Sequence, residues 1–264
     1  EALDRLLNVF DPEFGAAVQA ELEAQGVHIH TGERVQSFQG EDRVTAVVTD
    51  KGTYAADTVI LSIGISPNTR FAGDAIEKLP NGAIVTDPAM RTSIPDVYAA
   101  GDCATIWHKL LDKPVMIALG TNANKQGRLA GDSVLGKPVS FKRALGTSML
   151  RCMGLEFAKT GLGEGECQAN GIPYKVKTVE TRSHARYYPD PKPLTIKLCY
   201  RPEDHVLLGA QIMGAKEAAW RIDTFACAID QGMTTEELGF LDLGYAPPFA
   251  GVWDAIQIAA NAAK

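Results

Sequence analysis

The run Val97-Tyr-Ala-Ala-Gly-Asp102 constrains this chain more than any other stretch of it. Its side chains are apolar and shrink toward the end, as in a buried strand that narrows where it leaves a sheet. Gly101 lacks a Cβ, so the backbone there can approach a ligand closely. Asp102 follows at the expected carboxyl end of the strand. Ligands of open α/β sheets sit at that edge, and a carboxylate there can accept hydrogen bonds from a polyol.

Composition sets the frame around this run. The chain has 264 residues, 45% of them hydrophobic and 22% charged, which predicts a sizeable core and excludes disorder. Lys+Arg 26 against Asp+Glu 32 leaves a net charge of −6, so neither nucleic acid nor an anionic membrane surface is an expected partner. No apolar run reaches the roughly 20 residues of a membrane span. Cys103, Cys152, Cys167, Cys199 and Cys227 form no CxxC pair, and they read as five ordinary thiols in a reducing, cytoplasmic setting with no metal site. The first residue is Glu1 and not Met, so the chain is expected to be processed, truncated or incomplete.

The pattern along the chain predicts three regions. In the first, Asp11 and Pro12 open a helix carrying Phe14, Val18 and Leu22, which Gly26 ends. Strands are predicted at 27–29, 34–38, 44–49 and 58–63, with turns at 40–42 and 50–52. The middle region is loop-rich, punctuated by Pro67, Pro80, Pro88 and Pro95, and precedes a helix over 122–135 with Thr121 as N-cap. The last begins near residue 140 as an α+β unit. Residues 194–200 alternate apolar and polar and predict a strand, with a partner at 206–213. Ala218, Ile222, Phe225 and Ile229 share one face of a helix that Gly232 stops, and Thr234 with Glu237 has capping-box spacing.

The string from Thr92 to Asp102 resembles the second flavin-binding motif of the FAD-dependent pyridine nucleotide-disulfide oxidoreductases, in which the acidic residue holds the ribityl chain. Thr58-Val-Ile-Leu-Ser-Ile-Gly-Ile-Ser-Pro-Asn68 is similar to the family's passage from its NAD domain back to its FAD domain, with Gly64 at the turn. Residues 117–128 resemble the stretch whose helix directs its N-terminus at the flavin ring, where open N–H groups carry about half a positive charge. The resemblance implies a fold of α/β plus α+β type: part of a two-dinucleotide-binding-domain (FAD/NAD(P)) arrangement followed by an α+β dimerisation domain. It places the second half of an NAD(P)-binding domain at 1–63, the C-terminal segment of an FAD-binding domain at 64–138 and the dimerisation domain at 139–264.

Tyr245-Ala-Pro-Pro-Phe249 with Trp253-Asp254, and Ser183-His-Ala-Arg-Tyr-Tyr-Pro189, are similar to the CoA-disulfide and persulfide reductase branch. The resemblance implies electron transfer from NAD(P)H through FAD to a small disulfide or persulfide such as CoA disulfide, in a homodimer. Tyr245 and one of Tyr187 or Tyr188 would reach the partner's active site and protonate a departing thiolate. Cofactor-binding positions would be Asp102, Gly101, Leu119, Gly120, Thr121 and Gly64, with Glu1 at the nicotinamide cofactor's ribose. Neither GxGxxG fingerprint nor the redox cysteine of the family is present, so the chain alone is expected to be inactive. Lys216 or Arg221 could meet a CoA phosphate. Two other readings stand beside this one: an NADH oxidase or peroxidase, and a non-catalytic dimerisation module.

Overall fold

A computed structural model describes residues Glu1–Lys264, which divide into two compact units. One is Glu1–Gly64 with Arg151–Leu155; the other is Ile65–Leu150 with Glu156–Lys264. The boundary read at 138/139 lies inside the second unit. No helix is long and apolar enough to cross a membrane.

The first unit holds α1 (Pro12–Ala24), β1 (Val35–Gln39), β2 (Ala46–Thr49) and β3 (Thr53–Ala55). Pro12 sits in the first turn of α1, where its missing N–H leaves nothing unsatisfied. Phe14, Gly15 and Val18 face inward. The strands form an antiparallel meander. Glu33 is buried at its end and accepts hydrogen bonds from Thr49 Oγ1 (2.5 Å) and Tyr54 OH (2.8 Å). The Thr49 hydroxyl, with the Tyr54 hydroxyl behind it, holds the Glu33 carboxyl below its ordinary range.

Two of the predicted strands do not form. Residues 27–29 are irregular, and residues 58–63 lie outside all three sheets with Ile60 87% and Ile63 90% exposed. An apolar run reads as a strand buried on both faces, but it forms one only where other strands line its edges.

The second unit opens with a loop-rich segment. β4 (Ile106–His108) and β5 (Lys113–Val115) make a hairpin, and α2 (Gly120–Val134) follows. The expected strand at 97–100 is reduced to a single bridge between Tyr98 and Arg91. Then come β6 (Ser148–Cys152), β7 (Leu155–Gly161), α3 (Glu164–Ala169), β8 (Lys175–Arg182), β9 (Pro193–Tyr200), β10 (Leu207–Gly214), α4 (Ile222–Gln231), α5 (Thr235–Gly239) and α6 (Ala255–Ala262). The sheet order is β6-β7-β10-β9-β8, and β10 pairs antiparallel with both β7 and β9.

The two faces of this sheet differ. Leu194, Ile196, Leu198, Ala210 and Ile212 pack against Ile222, Phe225 and Ile229 of α4 and Ile256 and Ala259 of α6. Gly232 ends α4 in the left-handed region, and Thr234 and Glu237 exchange the two capping bonds that start α5. The opposite face carries Lys159, Gln211 and Lys197 in one rung, all buried, and α3 covers it. Lys159 pairs with Glu166 at 3.0 Å and Lys197 with Glu164.

His108 ends β4 in a buried position. Its Nδ1 accepts the N–H groups of Leu110 and Leu111, each at 3.2 Å, which requires that nitrogen to be unprotonated. Burial pushes the imidazole pKa down to about 4, against the opposing pull of Glu166. As pH falls from the ordinary histidine value toward 4, the unfolded chain takes up a proton that the folded chain refuses. Stability is therefore expected to drop by about 3 kcal/mol across that window and to lose nothing more from this group below it. His108→Asn keeps a side-chain acceptor without the titration, so urea unfolding midpoints followed between about pH 7 and pH 4 should fall less in the variant.

Candidate active-site elements

The first cluster surrounds Gly101. A tight turn links the Gly101 carbonyl to the Ala104 N–H at 3.0 Å, with Gly101 at φ +88°. The Gly101 N–H donates to Gln126 Oε1 (3.1 Å), while Gln126 Nε2 donates to the Thr105 carbonyl (2.7 Å). Gln126 is buried on the inner face of α2, and its amide spans the turn like a clasp. Asp102 stands at the tip, exposed. An added Cβ at Gly101 would meet only Ala123 Cβ, at 3.9 Å, so the reason for glycine there is the positive φ and not local crowding.

The start of α2 differs from the expectation. The helix begins at Gly120 and not at 122, with extended Leu119 as its N-cap; Thr121 is already inside the first turn. The Leu119 carbonyl accepts the N–H groups of both Asn122 and Ala123 at 2.9 Å, which draws the preceding residues into the helix. No side chain caps this end. Gly120 and Thr121 are exposed, and their N–H groups face outward from the first turn.

The second cluster is made by the tyrosines. Tyr187 and Tyr245 are 58 residues apart in sequence, and their hydroxyls are hydrogen-bonded to each other. That bond, with a smaller contribution from burial, raises the Tyr187 pKa above the ordinary phenol value. Tyr188 turns away and packs edge-to-face on His184 at 5.6 Å between ring centroids. Of the two alternatives at 187 and 188, Tyr187 is the one the fold brings to Tyr245.

Both tyrosine loops converge on Arg221. Its Nη2 donates to the Ser183 carbonyl (2.7 Å), the Phe249 carbonyl (3.2 Å) and Asp254 Oδ2 (3.1 Å), and Nε also reaches the Asp254 carboxylate. Asp254 in turn caps α6 through the Ile256 N–H at 2.8 Å. Nε and Nη2 of Arg221 are taken up by these acceptors, while Lys216 is exposed on the adjoining turn. Neither the Gln126 clasp nor this role of Arg221 is evident from local patterning.

The remaining expected positions fall elsewhere. Gly64 has φ +90° with nothing near an added Cβ, and it closes the first unit. Glu1 is exposed, and its Oε1 accepts the Leu3 N–H at 2.9 Å, leaving Oε2 for any ribose contact. Cys103 is half-buried with its thiol against the Ala100 carbonyl at 3.5 Å.

Known proteins resemble this chain along nearly its whole length. Residues 1–127 match the family model described as pyridine nucleotide-disulphide oxidoreductase, and residues 150–256 match the model of that family's dimerisation domain. A CoA-dependent NAD(P)H sulfur oxidoreductase of Pyrococcus furiosus is 39% identical over 260 residues, 98% of this chain and 58% of the relative. An NADH oxidase of Enterococcus faecalis is 31% identical over 266 residues, 100% of this chain and 60% of the relative. The solved structure of an NAD-dependent persulfide reductase from A. fulgidus superimposes with a TM-score of 0.92 at 32% identity, covering 99% of this chain and 49% of that one. The chain thus spans little more than half the length of the relatives it matches.

Two substitutions probe the tyrosine cluster. Tyr245→Phe removes the partner that raises the Tyr187 pKa, so one phenol should titrate nearer pH 10 in the variant than in the parent, read from tyrosinate absorbance. In the parent the contact is intact below the ordinary phenol pKa and is lost as pH rises through the raised one. Arg221→Met strands the Asp254 carboxylate in a mostly buried setting and should cost about 3 kcal/mol in urea unfolding.

Proposed function

Because the chain belongs to the pyridine nucleotide-disulphide oxidoreductases, we propose that it is the C-terminal part of an FAD-dependent enzyme that moves electrons from NAD(P)H to a small disulfide or persulfide, with CoA disulfide the favoured acceptor. In this reading residues 1–63 are the second half of the NAD(P)-binding domain, 64–138 the end of the FAD-binding domain and 139–264 the dimerisation domain. The observation that carries it is the Gly101–Asp102 turn, an exposed carboxylate fixed by the buried Gln126 clasp beside the first turns of α2.

These residues fit a flavin. Asp102 is exposed, Gly101 keeps the turn free of a side chain, and no side chain makes a capping hydrogen bond to the start of α2. FAD, when bound, would accept hydride from the nicotinamide and pass electrons onward. Asp102 would accept hydrogen bonds from ribityl hydroxyls, and the N–H groups at Gly120 and Thr121 would favour negative charge near them.

Tyr187 and Tyr245 would supply the proton. A phenol is protonated at neutral pH, and the hydrogen bond between the two hydroxyls sets them side by side, so a donor would be in place for a thiolate leaving the acceptor. The surface near them is unusually apolar: Trp220, Phe240, Phe249, Val252 and Trp253 are all exposed. Such a patch supports a two-fold interface in a homodimer, with the tyrosines of one protomer serving the other.

The test is made with the complete protein. It should bind FAD and consume NAD(P)H faster with CoA disulfide or polysulfide than with O2 or H2O2. Asp102→Asn should weaken flavin retention, and Tyr245→Phe should lower disulfide turnover roughly 100-fold while flavin stays bound. The 264 residues alone should show no NADH-dependent disulfide reduction. Turnover dominated by O2 or H2O2 would favour the oxidase reading, and a colourless protein that refuses FAD would end both.

A further inference from the structure

Two thiols far apart in sequence meet beneath α3. Cys167 projects from that helix and Cys199 from β9, and their sulfurs lie 3.6 Å apart among Leu162 and Leu208. Both are buried, with Cys167 fully enclosed. Their meeting depends on a close passage of backbone. Gly209 of β10 pairs with both Gly161 and Cys199, and a Cβ on Gly209 would lie 2.0 Å from the Leu162 carbonyl oxygen. Only glycine lets residues 161–163 cross the sheet so tightly. α3 is then seated by the Gly163 N–H on the Glu166 carboxylate (2.9 Å), the Lys159–Glu166 pair and the Lys197–Glu164 pair.

We propose that Cys167 and Cys199 are an oxidation site that a hydroperoxide converts into an intrachain disulfide stapling α3 to β9. Closing from van der Waals contact to a bond of about 2.05 Å needs roughly 1.5 Å of approach, within reach of side-chain rotation plus a small shift of a one-and-a-half-turn helix. Burial selects the oxidant. Attack on a low-molecular-weight disulfide would first hang a bulky group on one sulfur, and the enclosed site has no room for it. A hydroperoxide is small and uncharged. One thiol, losing its proton, attacks the peroxide oxygen to give a sulfenic acid and release hydroxide, or an alkoxide from an alkyl hydroperoxide. The second thiol then attacks that sulfur, displaces hydroxide and forms the S–S bond. The two released protons and the two anions make two water molecules, or water and an alcohol. Two thiols are oxidised by two electrons and one O–O bond is reduced, so the step balances.

The other cysteines serve as internal controls, since Cys227 is exposed and Cys103 and Cys152 are half-buried. The intact protein is treated with H2O2, unfolded, alkylated and mapped as peptides. A Cys167–Cys199 linkage should appear, the Tm should rise by roughly 5 °C, and dithiothreitol should reverse both. Cys199→Ala should abolish the linkage and the Tm rise. Recovery of both residues as alkylated thiols under conditions that oxidise Cys227 would overturn the proposal. So would linkage of either to a different cysteine, or a Tm rise that survives Cys199→Ala. Peptide mapping of the parent protein decides the matter even if the variant fails to fold.

Discussion

The guanidinium of Arg221 is the one cation that holds the carbonyl of Ser183, the carbonyl of Phe249 and the carboxylate of Asp254 at once, and the tyrosine cluster rests on that convergence. Ser183 precedes Tyr187 by four residues, and Phe249 follows Tyr245 by four. Neither tyrosine loop has regular structure of its own to fix its path. A planar fork suits this task, because Nε and Nη2 together grip the Asp254 carboxylate while Nη2 also reaches the two carbonyls. Asp254 is also the N-cap of α6, whose apolar face packs on the sheet, so the loops are anchored to the core through one carboxylate.

That core belongs to a sheet asked to do different things on its two faces. Toward α4 and α6 its strands β9 and β10 are apolar, and burial of Phe225, Ile222 and Ile229 supplies the driving force for packing. Toward α3 it presents two buried lysines flanking a glutamine. Isolated, such charges would be costly; the carboxylates of Glu164 and Glu166 on α3 compensate them. A six-residue helix has little stability of its own, so α3 depends on these pairs and on the Gly163 N–H that donates to the Glu166 carboxylate at its start. The same covered face contains the Cys167–Cys199 contact, buried beneath α3.

The elements read well in advance are those whose signal is local. Alternation in 194–200, the one-sided apolar face of α4, Gly232 as a stop and the Thr234–Glu237 box all concern residues a few positions apart. The failures are non-local. Residues 58–63 and 97–100 are apolar enough for strands, but strand formation is decided by neighbouring edges, which the pattern does not contain. The onset of α2 was displaced because Thr121 looks like a cap, whereas the Leu119 carbonyl makes the capping turn. Tyr187 and Tyr188 were indistinguishable in sequence, and a one-residue difference in direction separates a hydrogen-bonded phenol from one stacked on His184.

The Gly101 turn brings these themes together at the candidate flavin side. Asp102 is singled out by a local signature, a run of shrinking apolar residues ending in Gly-Asp, although the strand that run suggests is reduced to one bridge. What makes the carboxylate usable is not local: Gln126 lies 25 residues downstream of Gly101 and satisfies a donor and an acceptor that the turn leaves open. A buried amide with both ends engaged is stiff, since releasing either end would strand a polar group away from water. The turn is thus held at fixed height against α2, and the exposed carboxylate at its tip and the amides at the start of that helix belong to one rigid element. A ligand that needs an acceptor for hydroxyls and donors for developing negative charge would meet both without either having to be ordered on binding.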